Sequence, residues 1–141
     1  MNNWLLYAFL SAIFAAMTAI LAKIGVKNVN SNLATAIRTI VILLFAWGIV
    51  FFQGTAKQLS SISKTSFIFL FFSGIATGLS WLFYFRALQL GNAAKVAPVD
   101  KLSLVFTIML AAIILKEKVT LLILLGAILM SVGTILITFS K

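Results

Sequence analysis

Five long apolar segments, separated by short polar turns, take up almost the whole of this sequence. They are Trp4–Ala22, Leu33–Phe52, Phe67–Phe85, Val99–Leu115 and Leu121–Phe139. Each has about the length that an α-helix needs to cross the hydrocarbon core of a bilayer. Because 63% of the residues are hydrophobic and only 9% are charged, the chain cannot supply both a soluble core and a soluble surface. The sequence predicts an all-α integral membrane protein, a bundle of five transmembrane helices in a single domain over residues 1–141.

The residue types that are missing or rare exclude several classes of function. There is no cysteine and no histidine, which removes disulfides, zinc sites and haem ligation, so neither a metal nor a cofactor is expected. The two acidic residues lie at opposite ends of one segment, so no acid/base pair or activated nucleophile can be assembled, and no enzyme is expected. The net charge of +9 comes from cations scattered near the segment ends. That distribution indicates anchoring to lipid headgroups rather than binding to nucleic acid.

The first segment has a second interpretation, as a cleaved signal peptide. It lacks a basic region before the apolar run, and the run is longer than the apolar core of such peptides. A transmembrane helix is therefore the favoured interpretation. In the turn that follows, Ser31 or Asn32 is expected to cap the second helix. The polar stretch 53–66, rich in serine and threonine, is expected to be a flexible connection without chemistry.

The stretch Asn92–Lys118 contains the chain's one proline and both of its carboxylates. Pro98 is expected in a first helical turn, where the amide that it lacks would have no partner. Asp100 follows within that turn, where the helix dipole favours a negative charge. The charged residues around Glu117 end the span, because hydrocarbon excludes them.

Small and polar residues recur at helical spacing in three of the predicted helices. Asp100, Ser103 and Thr107 share one face of the fourth helix, which makes that face a candidate water-accessible lining. Gly74 and Gly78 form a GxxxG pair in the third helix, and Gly126 lies in the fifth. The glycines are expected to serve helix packing or dimerisation.

Charged and aromatic residues inside the apolar segments are candidates for a site. Arg38 lies about one and a half turns inside the second segment, and Arg86 lies at the exit of the third. Because each helix reverses direction, both arginines and Asp100 are expected towards one membrane face, where they either form a polar cluster or extend separately to the headgroups. Trp81 and Tyr84 are either interfacial aromatics or walls of a cavity.

The charge difference between the two faces is small. One face is expected to carry five lysines and the two arginines, and the other to carry four lysines. The positive-inside rule needs a clear excess to fix an orientation. A chain so balanced can insert both ways, and two opposite copies would form an antiparallel dimer that reproduces the inverted repeats of many secondary transporters.

Four stretches of the sequence resemble the EamA domain of the drug/metabolite transporter superfamily. They are AKIGVKNV, SNLATAIRT, WLFYFRALQLGNAAKVAPVDKLS and LKEKVTLLILLGAILMSVG. Pro98, Glu117 and Gly126 match the family's proline, glutamate and last-helix glycine. Most members carry two such domains in ten spans, whereas this chain has one. The resemblance is to the short five-span members, and it implies that a dimer supplies the missing half.

The resemblance also implies a function, export or import of a small metabolite or drug-like solute. The expected protein is a secondary transporter in the cell (inner) membrane, working by alternating access in a homodimer, with the lipid bilayer and a solute as its partners. Candidate solute or ion contacts are Asp100, Arg38, Arg86, Trp81, Tyr84, Ser103 and Thr107, with Asp100 coupling transport to protons or another ion. Two alternatives stay open, a small dimeric channel and an accessory membrane subunit.

Overall fold

The structure, a computed structural model, describes residues 3–140. Within that range the chain forms six α-helices and one 3₁₀ helix, and no β-strand. The α-helices are α1 (Trp4–Gly25), α2 (Ser31–Phe52), α3 (Lys64–Leu90), α4 (Ala93–Asp100), α5 (Ser103–Ile114) and α6 (Leu121–Phe139). Five helical segments are long and apolar enough to cross a membrane, with α4 and α5 together making the fourth. The prediction of an all-α chain with five spans is confirmed.

The residue that caps α2 differs from the expected ones. Asn30 is the N-cap, because its backbone is extended (ψ 130°) and its Oδ1 accepts from the amides of Asn32 at 2.9 Å and Leu33 at 3.3 Å. The prediction of Ser31 or Asn32 was wrong, since both residues have already entered the helix. A side chain caps a helix only from the residue whose backbone still lies outside it.

The fourth span is broken, and the expected position of Pro98 was wrong. The helix begins at Ala93, so Pro98 lies inside α4 rather than in a first turn. At the junction the Leu102 amide donates to Val99 O and the Leu104 amide to Lys101 O, both at 3.0 Å. These are i→i−3 bonds of the 3₁₀ type, which tighten the backbone between the end of α4 and the start of α5. The result is two short helices in place of one.

The polar stretch between α2 and α3 has more structure than expected. Gly54, with a φ of +67°, turns the chain out of α2, and a 3₁₀ helix follows over Thr55–Ser61. The Ser61 hydroxyl donates to Gln58 O at 2.7 Å, and the Ser60 hydroxyl donates to Lys57 O at 3.2 Å. Because serine hydroxyls bond to carbonyls three residues earlier, a serine-rich stretch can close tight turns. The expectation of a flexible connection was therefore wrong.

The chain divides into two compact units, of which one is Leu21–Gln89. The buried side chains of this unit gather near the end of α1, the start of α2 and the end of α3, with Val26, Phe85 and Leu88 almost fully buried. Lys23 Nζ donates to Leu88 O at 2.6 Å, which joins the last turns of α1 and α3. An ammonium group at a helix C-terminus satisfies a carbonyl that has no partner within the helix.

The other unit contains the residues up to Ile20 and those from Leu90 onward. In it α6 packs against α4 and α5. The Thr134 hydroxyl donates to Pro98 O at 3.3 Å, and Lys95 Nζ donates to Ser140 O. Ala127 and Thr134 are the buried residues of α6. The broken fourth span is thus held by the last helix. The organisation of the chain as one domain remains a prediction.

Large apolar side chains cover the outside of the described helices. Phe52 is 95% exposed, Phe139 is 82% exposed and Leu122 is 80% exposed. In water such a surface would aggregate, whereas in a bilayer lipid tails and neighbouring helices cover it. The exposure is what a membrane-spanning chain requires.

Candidate functional site

The candidate site is built around Arg38 of α2. Ser31, Thr35 and Arg38 recur at spacings of four and three, so they share one face of the helix. Ser31 and Thr35 are buried, which shows that this face is turned towards protein. The Thr35 hydroxyl donates to Ser31 O at 2.9 Å and is thereby satisfied within the helix. Arg38 therefore extends from a face that is turned away from lipid.

Two aromatic rings of α3 lie against the Arg38 guanidinium. Its carbon Cζ is 4.4 Å from the centroid of the Trp81 ring and 5.0 Å from that of Phe85. Trp81 and Phe85 are four residues apart and so share one face of α3. Both distances lie within the range of cation–π attraction, which is stronger where water is excluded. The aromatic pair stabilises a positive charge that hydrocarbon alone would disfavour.

One nitrogen of the guanidinium has no hydrogen-bond partner. Arg38 Nη1 is buried and makes no hydrogen bond to any of residues 3–140. A guanidinium carries five N–H donors and no acceptor. Leaving a buried, charged donor without an acceptor costs on the order of 1–3 kcal/mol or more. Such a donor is unusual in a folded chain and marks a position where an acceptor can bind.

Tyr84 and Arg86, also predicted as site residues, lie on the same helix as Trp81. Tyr84 packs edge-on against Phe85, with their ring centroids 6.4 Å apart. The exposed Arg86 donates to Gln89 Oε1 at 2.7 Å. Gln89 Nε2 in turn donates to Val29 O at 2.9 Å and to Val26 O at 3.3 Å. Arg86 thus belongs to a chain of hydrogen bonds that ties the end of α3 to the turn after α1.

The remaining predicted site residues lie in the other compact unit. Asp100 is the last residue of α4, so the prediction that it lies in a first helical turn was wrong. Its carboxylate accepts from Lys101 Nζ at 3.3 Å. Ser103 and Thr107 are exposed on α5, and the Thr107 hydroxyl donates to Ser103 O at 2.8 Å. All three therefore lie at the break of the fourth span or just after it. Their role as a polar lining stays a prediction, and so does the cluster of Asp100 with Arg38 and Arg86.

The glycines predicted for helix packing face open space. A Cβ atom added at Gly74, Gly78 or Gly126 would meet no heavy atom within 4 Å. No described part of this chain therefore packs closely on these three positions. Their role in packing stays a prediction, and a second chain would have to supply the close contact.

Sequence reasoning missed the parts played by Phe85, Gln89 and Lys23. The sequence placed Phe85 on the same helix face as Trp81, four residues away, but did not single it out as a site residue. Gln89 is a polar side chain at the end of an apolar span, which is a weak signal for a link to a neighbouring turn. Lys23 stood out only as a basic residue in a last helical turn, where carbonyls attract it.

The sequence is similar to known membrane proteins over nearly its whole length. The family described as "EamA-like transporter family" matches residues 2–139. The chain belongs to the EamA-like transporter family. A Sinorhizobium sp. protein named "Uncharacterized transporter in cobO 3'region" is 47% identical to it over 136 residues, which cover 96% of each chain. No solved structure shows a significant match.

Membership of the EamA-like family, together with the five apolar helices, identifies a multi-pass membrane protein. The family and the name of the relative both support a membrane transporter. A transporter of this family moves a small solute, and lipid surrounds its helices. The resemblance found in the sequence is therefore confirmed over nearly the whole chain.

Proposed function

We propose that this EamA-like protein is a secondary transporter that carries a small solute across the cell (inner) membrane by alternating access. One observation carries the proposal. Within apolar, membrane-spanning helices, Arg38 has a buried N–H donor without an acceptor, and two aromatic rings hold its guanidinium. Ionisable residues inside membrane spans mark pathways for solutes or ions, because their cost must be offset by a function.

The broken fourth span supplies a part that can move. Pro98 lies inside α4, which ends at Asp100, and 3₁₀-type bonds join α4 to α5 through Lys101 and Leu102. Discontinuous helices recur in secondary transporters, where unwound backbone lies near the solute and lets helix segments tilt independently. We propose that α4 and α5 change their mutual angle during the transport cycle.

Asp100 is proposed as the residue that couples transport to protons or another ion. It lies at the junction of α4 and α5, with Lys101 Nζ at 3.3 Å as its ion-pair partner. Protonation of the carboxylate would release Lys101 and alter the charge at the break. A gradient could therefore act directly on the segment that moves.

A homodimer of oppositely inserted copies is proposed as the working unit. Five spans are half of the ten that most family members carry, and the lysines are nearly balanced between the two membrane faces. The open faces at Gly74 and Gly78 offer surfaces on which a second copy can pack closely. Two copies related by an axis in the membrane plane would form the inverted repeat that alternating access uses.

Counterflow in proteoliposomes tests the proposed transport function without requiring that the solute be known. Vesicles are loaded with an unlabelled bacterial metabolite extract and placed in a trace amount of uniformly ¹³C-labelled extract. Mass spectrometry then identifies labelled compounds that accumulate inside. A transporter exchanges one or a few compounds saturably and accumulates them only when the extract is also inside. A channel would equilibrate them regardless of loading, and an accessory subunit would move none, so either result would contradict the proposal.

A further inference from the structure

We propose that the transported solute carries an anionic group, a carboxylate or a phosphate, and that Arg38 binds this group. The inference rests on the proposed function, since it assigns the chemistry of the solute to the same site. Three observations support it: the buried Nη1 donor of Arg38, the two aromatic rings beside its guanidinium, and the small number of acidic residues in the chain.

The aromatic rings and the N–H donors use different parts of the guanidinium. Trp81 and Phe85, at 4.4 and 5.0 Å from Cζ, attract the guanidinium through the faces of their rings. A ring accepts no strong hydrogen bond, so these contacts leave Nη1 without a strong acceptor. The planar fork of a guanidinium matches the paired oxygens of a carboxylate or phosphate. An anion is therefore the ligand that would satisfy this donor best.

The chain itself has few acceptors of matching charge. It contains eleven cations and two acids. Asp100 already pairs with Lys101 at 3.3 Å. The hydroxyls of Thr35 and Thr39 in α2 donate to backbone carbonyls one turn earlier, at 2.9 and 2.8 Å, and neither accepts from Arg38 Nη1.

A lipid phosphate is the other source of the same chemistry. A guanidinium that reaches the headgroups extends its N–H donors to the membrane surface. Arg38 differs, because its guanidinium lies against two rings of the neighbouring helix. The apolar rings beside the charge also suit the body of a small organic anion. These contacts favour a solute over a headgroup.

The test uses Trp81 as its own reporter in the full-length protein. Trp4→Phe and Trp47→Phe leave Trp81 as the one tryptophan. The purified protein, in detergent without added lipid, is titrated with benzoate and phenyl phosphate. Benzamide and benzylamine serve as neutral and cationic probes with the same ring. We expect a saturable fluorescence change with the anions and at least tenfold weaker binding of the other two.

Substitutions at Arg38 assign the binding to its side chain. Arg38→Gln is expected to weaken anion binding at least tenfold, whereas Arg38→Lys keeps the charge but loses the fork and should weaken it by less. Lys57→Gln removes an exposed cation of the 3₁₀ helix and should leave binding unchanged. If the protein that retains Arg38 bound benzamide as tightly as benzoate, the inference would be overturned. This comparison does not depend on whether an Arg38 variant folds. Absence of anion binding would also overturn it.

Nanodiscs separate the solute from the headgroup. We expect the benzoate affinity measured in lipid-free detergent to persist in nanodiscs of phosphatidylcholine, and in phosphatidylglycerol at high salt, which screens its negative surface. Loss of binding in both lipids would overturn the solute assignment and leave Arg38 as a headgroup ligand. If anions bound through Arg38 but no counterflow occurred, the proposed transport function would be contradicted, whereas the anion site at Arg38 would stand. If neutral or cationic solutes showed counterflow that Arg38→Gln did not change, the protein would still be a transporter, but the proposal of an anionic solute would be wrong.

Discussion

The guanidinium carbon of Arg38 lies 4.4 Å from the centroid of the Trp81 ring. This contact joins the first half of α2 to the last third of α3. It places a permanent positive charge beside an apolar surface that stabilises it without neutralising it. The charge is therefore not neutralised by this contact, as the proposed binding of an anion requires.

Replacing Trp81 should destabilise the protein through this contact. Trp81→Leu removes the ring beneath the guanidinium, and we expect the free energy of unfolding to fall by about 1–2 kcal/mol. Trp81→Phe should cost less, because a smaller aromatic face remains. Phe83→Leu, at a side chain that is 74% exposed, is the matched control and should cost little. Thermal unfolding in detergent measures the difference, and equal losses at positions 81 and 83 would contradict the role of the contact.

Gln89 should hold the end of α3 to the turn after α1. Gln89→Leu leaves Val26 O and Val29 O without their donor and removes the acceptor of Arg86. We expect a loss of about 1–3 kcal/mol in stability. Gln89→Glu keeps an acceptor for Arg86 but still loses the donors to both carbonyls, so it should also destabilise.

Hydrogen exchange locates the effect of these Gln89 variants. The amides of residues 26–30 should exchange faster in both variants. Gln58→Leu, on the exposed side of the 3₁₀ helix, serves as the control. Unchanged exchange in the turn would show that the hydrogen bonds of Gln89 do not hold it.

Pro98 should set the rate of the conformational change. Pro98→Ala restores a backbone donor inside α4 and makes that helix more rigid, since proline in a helix interior costs about 3 kcal/mol. We expect equal or higher thermal stability, together with a several-fold lower maximal rate of counterflow and little change in the concentration that gives half the maximal rate.

Thr134→Val is the companion variant for Pro98. It removes the hydroxyl that donates to Pro98 O at 3.3 Å and keeps the shape of the side chain. We expect it to lower stability by about 1 kcal/mol. A Pro98→Ala protein that exchanges solute at the full rate would show that the break plays no part in transport.

Asp100→Asn separates coupling from exchange. The variant cannot change its protonation state, so we expect uptake driven by a pH gradient to be lost while counterflow, which needs no gradient, continues. Asp100→Glu should keep part of the driven uptake. Driven uptake that survives Asp100→Asn would contradict the coupling role and leave Asp100 as the ion-pair partner of Lys101.

The element pattern of this chain could be predicted because hydropathy alone determines it. α6 runs over Leu121–Phe139 as predicted, since its apolar run is bounded on both sides by polar residues and Thr120 caps it. The break at Lys101 and Leu102 was missed, because the charged pair Asp100–Lys101 was taken as the start of a span, and only backbone hydrogen bonding shows a helix on both sides of it. Asn30 was missed for a similar reason, as three polar residues in a row could each have been the cap.

The candidate site could be predicted in its residues but not in its contacts. Arg38 stood out because a charge in an apolar span is costly. Its contact with Trp81 depends on the rotation and axial offset of α2 relative to α3, which are fixed by tertiary packing. The sequence favoured Asp100 as the central residue. The structure places Lys101 beside Asp100 and leaves the unsatisfied donor on Arg38.

The proposal that two oppositely inserted copies form the transporter is tested most directly by finding on which side of the membrane residue 140 lies. The natural chain has no cysteine, so Ser140→Cys introduces one thiol just after α6. Intact cells are labelled with a membrane-impermeant maleimide, and the remainder is labelled after permeabilisation. Dual insertion predicts that roughly half of the protein reacts from each side. Labelling from one side alone would contradict the antiparallel homodimer.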